Sequence, residues 1–196
     1  MDEREVNPRA AGIRLVLGMA ALMWVLEVLD SLLDHRLDRY GIEPRDADGL
    51  IGVVAAPFLH AGFDHLASNT VPFLLLGIVI ALQGLVRVAL VTVVVALVSG
   101  LGTWLVAPEL SIHIGASGVV FGYATYLLSR GFFNHNVLEL VIGAVVGVVY
   151  GGVLLGGLVP EDGVSWQGHF FGAVGGLVAA RMLMRERSGQ PVERVS

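Results

Sequence analysis

Neither cysteine nor lysine occurs among the 196 residues. The first absence excludes disulfides, thiolate catalysis and cysteine-ligated metal. The second leaves arginine as the whole of the basic complement of 12, too scattered to follow a phosphate backbone, so nucleic acid is not an expected partner. Charge of either sign is scarce, at 15% of residues against 55% hydrophobic, with a net charge of -5. A mean hydropathy of +0.76 with 26 glycines places the chain among polytopic membrane proteins.

An apolar helix crosses the hydrocarbon with about 20 residues. Six segments come near that length: about Ala10 to Leu29, Leu66 to Leu82, Val88 to Val106, Ile112 to Ser129, Val137 to Val159 and Val164 to Leu183. These predict an all-α bundle over residues 10–184, flanked by polar tails at 1–9 and 185–196. The first span follows Arg4, Arg9 and Arg14 and has no small-x-small cleavage site before Glu27 to Asp30, so it is expected to stay as an anchor. Arginines also fall at Arg87, Arg130, Arg181, Arg185, Arg187 and Arg194, all on one side of a six-crossing topology. The other side holds Arg36, Arg39 and Arg45 among many acids, including Asp34, Asp38, Glu43, Glu109, Glu161 and Asp162. The positive-inside rule then puts both termini in the cytoplasm, in a bacterial inner membrane, with the acidic loops outside.

Between the first two spans runs a long outer loop, roughly Asp30 to Asp64. Its apolar stretch Gly49 to Leu59 is too short to cross and too oily for water, and Pro57 prevents one continuous helix, so it is expected to sit in the outer leaflet. Glu27, near the outer end of the first span, is expected to snorkel or to bond a neighbouring helix, and Glu139 in the fifth span to be scaffold. The third span reads as packing.

Reactive side chains collect at the outer ends of three spans. Ser117, between Ala116 and Gly118 in Gly115-Ala116-Ser117-Gly118, opens the fourth, where nothing bulky shields its hydroxyl and unpaired N–H groups lie beside it. His65 and Asn69 share a face at the start of the second, with His60 above them. That trio suits either polar glue between helices or function; as a metal site it has neither the i, i+4 histidine pair nor the glutamate of a zinc-binding helix. His169 lies one turn into the sixth span. If the small-residue seams Gly118/Gly122 and Gly172/Gly176 pack together, Ser117 and His169 come within hydrogen-bond reach, and neutral imidazole can act as general base. Phe121, one turn after Ser117, can stack on His169. The Ser117 N–H, His65 and Asn69 are candidate oxyanion donors.

The three elements His60-x4-His65-x3-Asn69, Gly115-Ala116-Ser117-Gly118 and His169-x2-Gly172-x3-Gly176, in that order on alternate spans, resemble the rhomboid family of intramembrane serine proteases. The resemblance covers about Gly49 to Ala180. It implies a six-helix bundle that cleaves single-pass membrane proteins at the outer boundary of their transmembrane segments, without cofactor or metal. Carried over by position, Ser117 is the nucleophile, His169 the base, and His65 and Asn69 line the oxyanion hole, with His60 supporting the loop. Phe121 stands where many members have Tyr, and the Trp-Arg pair of many first outer loops is absent. A non-catalytic relative that binds and escorts membrane helices is the alternative. A channel is disfavoured, because no charged pathway continues past the outer end.

Overall fold

The computed structural model describes residues 7–161 and 163–184. Most of the two expected tails lies outside the described residues, as do Arg4, Arg185, Arg187, Arg194 and Asp162. The described residues form seven α-helices in the order α1 (Pro8–Leu32), α2 (Gly52–Ala55), α3 (Phe63–Ala81), α4 (Leu85–Val106), α5 (Ser117–Asn134), α6 (Val137–Gly156) and α7 (Trp166–Met182). The short α2 sits in the loop after α1, and no β-strand occurs among the described residues. The expected all-α bundle with a rhomboid-like arrangement is the fold observed.

Several boundaries move from those read in the sequence, each for a local reason. Helix α1 starts at Pro8, inside the stretch expected to be tail, because the Asn7 side chain accepts from the Arg9 and Ala10 N–H groups and Pro8 occupies the first turn. The fourth span was expected from Ile112, yet α5 starts at Ser117. Residues before it are drawn into an antiparallel bridge between His113 and Ile42, and Gly115 takes a positive φ of 115°. Helix α6 stops at Gly156, short of the expected Val159, where Gly157 caps it. Ser165 starts α7 by accepting from the Gly168 N–H.

By length and composition, α1, α3, α4 and α6 are long and apolar enough to cross a bilayer. Helices α5 and α7 carry the small and polar residues and pack on each other and on α4 at the centre of the bundle. The core joins Leu66, Phe73 and Ile80 of α3, Val88, Val91 and Val95 of α4, and Tyr123 and Leu127 of α5. Outward, α6 presents Val141, Val145, Val148, Val149 and Val153. An apolar belt of that extent suits a lipid surround.

The seam between α5 and α7 has a physical basis in glycine. A Cβ on Gly172 would land on the Gly118 carbonyl, and one on Gly176 on the Gly122 carbonyl, so bare backbones approach where side chains would hold them apart. Ser99, on the α4 helix read as packing only, donates to the Gly168 carbonyl at 2.8 Å and ties α4 to α7 beside the seam.

The loop between α1 and α3 coils into helical turns over Asp48–Phe58, against α4 of the bundle. Although the Trp-Arg pair is absent, tryptophan and arginine still anchor this loop, from different elements. Arg45 pairs with Glu109 at 3.1 Å and donates to the Leu105 and Ala107 carbonyls, and Trp104 Nε1 donates to the Asp46 carbonyl at 2.7 Å.

Candidate active site

Ser117 is the first residue of α5, so the N–H groups of the first turn have no partner within the helix. No side chain caps this end, which leaves the positive end of the helix facing whatever approaches the hydroxyl. The seam brings α7 alongside, and His169 Nε2 lies 2.8 Å from Ser117 Oγ. His169 Nδ1 lies 2.7 Å from the Gly157 carbonyl. A carbonyl only accepts, so Nδ1 carries the ring proton and Nε2 is the bare nitrogen that accepts from the serine. The imidazole therefore has the tautomer a general base needs, fixed by backbone. The Phe121 ring lies parallel to it, 4.1 Å away and tilted by 6°.

On the opposite wall, His65 and Asn69 of α3 line the same cleft as Ser117 and His169, with a volume of about 970 Å³. His65 Nδ1 accepts from the Ala61 N–H at 3.4 Å, which leaves Nε2 as its donor. That nitrogen faces Gly115, where a Cβ would stand within 2.8 Å of it, so glycine keeps the passage between His65 and Ser117 open. Asn69 spends one amide hydrogen on the His65 carbonyl at 2.9 Å and has a second for the cleft.

His60 is not in the cleft. It is buried behind it, where Nε2 accepts from the Ala116 N–H at 3.3 Å and the ring meets His65 edge to face at 5.1 Å. Burial, and then the neighbouring His65, push the His60 imidazole down to about 4, so it is neutral and supports the backbone just before Ser117.

Two contributors escape sequence reading. Gly157 acts through its carbonyl, which no side-chain pattern reveals. His113 lies between Ser111 Oγ at 2.9 Å and Ser165 Oγ at 2.8 Å, while its backbone pairs with Ile42. It thus links the outer loop, the strand-like approach to Ser117 and the cap of the helix carrying His169; burial lowers its pKa and keeps it uncharged. A histidine four residues before Ser117 was the available signal. Of the two expectations for Glu27, snorkelling fails, because the side chain is 2% exposed, and contact with a neighbouring helix holds, because it turns toward the Gly62 backbone at the start of α3.

In this helical protein Ser117, His169, His65 and Asn69 thus line one cleft between α3, α5 and α7. The Rhomboid domain family model matches residues 47–186, and the chain belongs to the rhomboid family. Uncharacterized protein Rv1337 of Mycobacterium tuberculosis is 45% identical over 198 residues, covering 96% of this chain and 82% of its own length. Uncharacterized protein ML1171 of Mycobacterium leprae is 42% identical, over 92% and 76% respectively. YdcA of Bacillus subtilis, which carries the provisional name of a rhomboid protease, is 25% identical over 89% of each chain.

Proposed function

We propose that this integral membrane protein is a serine endopeptidase that hydrolyses peptide bonds in or beside the transmembrane segments of other membrane proteins. The observation that carries the reading is the Ser117 Oγ to His169 Nε2 contact of 2.8 Å with Nδ1 held on the Gly157 carbonyl. Ser117 Oγ attacks the scissile carbonyl as His169 Nε2 takes its proton, which removes the main obstacle to an alcohol acting as nucleophile at neutral pH. The oxyanion forms toward the Ser117 N–H, His65 Nε2–H and Asn69 Nδ2, and losing one such donor typically costs about 2.7–4 kcal/mol of barrier lowering. The imidazolium then protonates the leaving amine, giving an acyl-enzyme on Ser117. Water, deprotonated by the same nitrogen, releases the second product. No carboxylate is part of this scheme; backbone carbonyl and ring stacking orient the base in its place.

All six long helices are taken to cross the bilayer, with the cleft facing outward and both termini in the cytoplasm of a bacterial inner membrane. The substrates are single-pass membrane proteins whose helices unwind locally at the cleft, since a peptide bond within a helix is shielded from attack. Fluorophosphonate labelling and cleavage of a transmembrane substrate in proteoliposomes test the reading. Wild type is expected to label and cleave, while Ser117→Ala and His169→Ala do neither. Full cleavage by Ser117→Ala would overturn it, and a folded wild type that neither labels nor cleaves would favour helix binding and escort.

A further inference from the structure

At the outer end of α1, away from the serine, carboxylates gather with His35 beside them and, among the described residues, no arginine partner. Asp30 is 2% exposed. Its Oδ1 accepts from the Leu37 N–H at 2.6 Å, but Oδ2 has no hydrogen bond and lies 3.5 Å from His35 Nδ1. The Asp38 carboxyl meets that of Asp30 and keeps a buried Oδ1 without a partner. One ligand atom from each of Asp30, His35 and Asp38 lies within 4.8 Å of the others. Glu27, one turn earlier on α1, is likewise 2% exposed, faces Asp30 and His35, and has neither oxygen in a hydrogen bond of ordinary geometry.

Buried carboxylate oxygens are normally paired with arginine, bonded by N–H groups or bound to metal. Among the described residues no arginine pairs with Glu27, Asp30 or Asp38, although Arg36 and Arg39 are close in sequence; Arg39 instead donates to Tyr40. The cluster also sits at the C-terminus of a 25-residue helix, where the helix dipole adds negative potential. His35 is half exposed and opens the group to the outer solvent.

We propose that Asp30, His35 and Asp38, backed by Glu27, bind one divalent transition-metal cation, Zn2+ or Mn2+, at the outer end of α1. Carboxylate oxygens suit either ion, and the single imidazole favours Zn2+ above Mn2+, Ca2+ and Mg2+. Bond lengths of about 2.0–2.2 Å need the ligands somewhat closer together, which the exposed His35 side chain allows. The ion is structural. It clasps the start of the outer loop to α1, on the rim of the cleft that Asp38 helps to line.

The test uses untagged full-length protein in nanodiscs, stripped with chelator and titrated by calorimetry with ZnCl2, MnCl2 and CaCl2. One equivalent of Zn2+ is expected, tighter than Mn2+, with Ca2+ weaker than both. His35→Ala and Asp38→Asn should each weaken Zn2+ at least as much as the roughly 10–100-fold caused by loss of an outer-shell partner. Melting in chelator shows that each variant is folded. Imidazole nitrogen coupling in the electron paramagnetic resonance of Mn2+ on wild type, abolished in His35→Ala, reports the ligand independently of Asp38. Absence of stoichiometric binding by wild type, as when Asp30 and Asp38 merely share a proton, overturns the proposal. So does binding that both variants leave unchanged.

Discussion

The ring of Phe121 stacks on the imidazole of His169, with centroids 4.1 Å apart and planes 6° from parallel. Stacking of this kind is worth about 0.5–1.5 kcal/mol beyond area burial. Phe121→Ala is therefore expected to lower kcat about 2- to 10-fold, because the base loses orientation, with a smaller rise in KM, because Phe121 also lines the cleft. Phe121→Tyr keeps the stack and should cleave like wild type. Steady-state cleavage in proteoliposomes checks both, and an unaffected kcat in Phe121→Ala would remove the stack from the mechanism.

Gly172 brings α7 against α5 at the level of Ser117. In Gly172→Ala the new methyl meets the Gly118 carbonyl, and backbone cannot rotate aside as a side chain can. Overpacking of this type costs about 1–3 kcal/mol. The expected result is a lower melting temperature together with a loss of fluorophosphonate labelling larger than the loss of folded protein, since parting the helices lengthens the Ser117 to His169 contact. Labelling that tracks the folded fraction would show that the seam stabilises the bundle without aligning the pair.

Arg130 and Glu139 form a buried ion pair that joins the end of α5 to the start of α6, and Asn134 donates to the same carboxylate at 2.7 Å. Removing one partner of a buried pair leaves the other charge uncompensated and costs about 3–5 kcal/mol. Glu139→Ala should accordingly lower the melting temperature strongly in detergent, and Glu139→Gln, which keeps a hydrogen-bonding group, less so. Equal melting of wild type and Glu139→Ala would count against the pair as a clasp. The sequence reading of Glu139 as scaffold agrees with this packing.

His60 makes stability depend on pH. Its imidazole is 1% exposed and is pushed down to about 4 by burial and by His65, from an ordinary value of 6.5. Between these values the unfolded chain binds a proton that the folded chain does not, so stability is whole above about pH 6.5 and falls as pH drops toward 4. The full effect is on the order of 3 kcal/mol. Melting temperatures from pH 7.5 to 4, compared between wild type and His60→Asn, isolate it from other titrating groups. The variant should have the shallower profile, and parallel profiles would contradict the assignment.

Residue spacing alone put Ser117, His169, His65 and Asn69 at the starts of alternate long helices, because helical period follows from hydropathy. The glycine seams could likewise be read from their four-residue spacing. Contributions made by backbone, or by residues far apart in the chain, could not. The Gly157 carbonyl fixes the His169 tautomer without any side-chain signal, and His113 gains its role only when Ile42, Ser111 and Ser165 converge on it. The loop anchors Arg45 and Trp104 were hidden for the same reason.

Composition and periodicity by themselves determined that the chain is a helical membrane protein with a serine and a histidine on neighbouring turns of the bundle, since burying apolar stretches in lipid requires helices. Tertiary structure decided which nitrogen of His169 is bare, where α5 begins, what holds the outer loop, and that three acids and a histidine at the end of α1 stand together. Those features depend on hydrogen-bond direction and on charges meeting across the fold, and both exist only after the helices have packed.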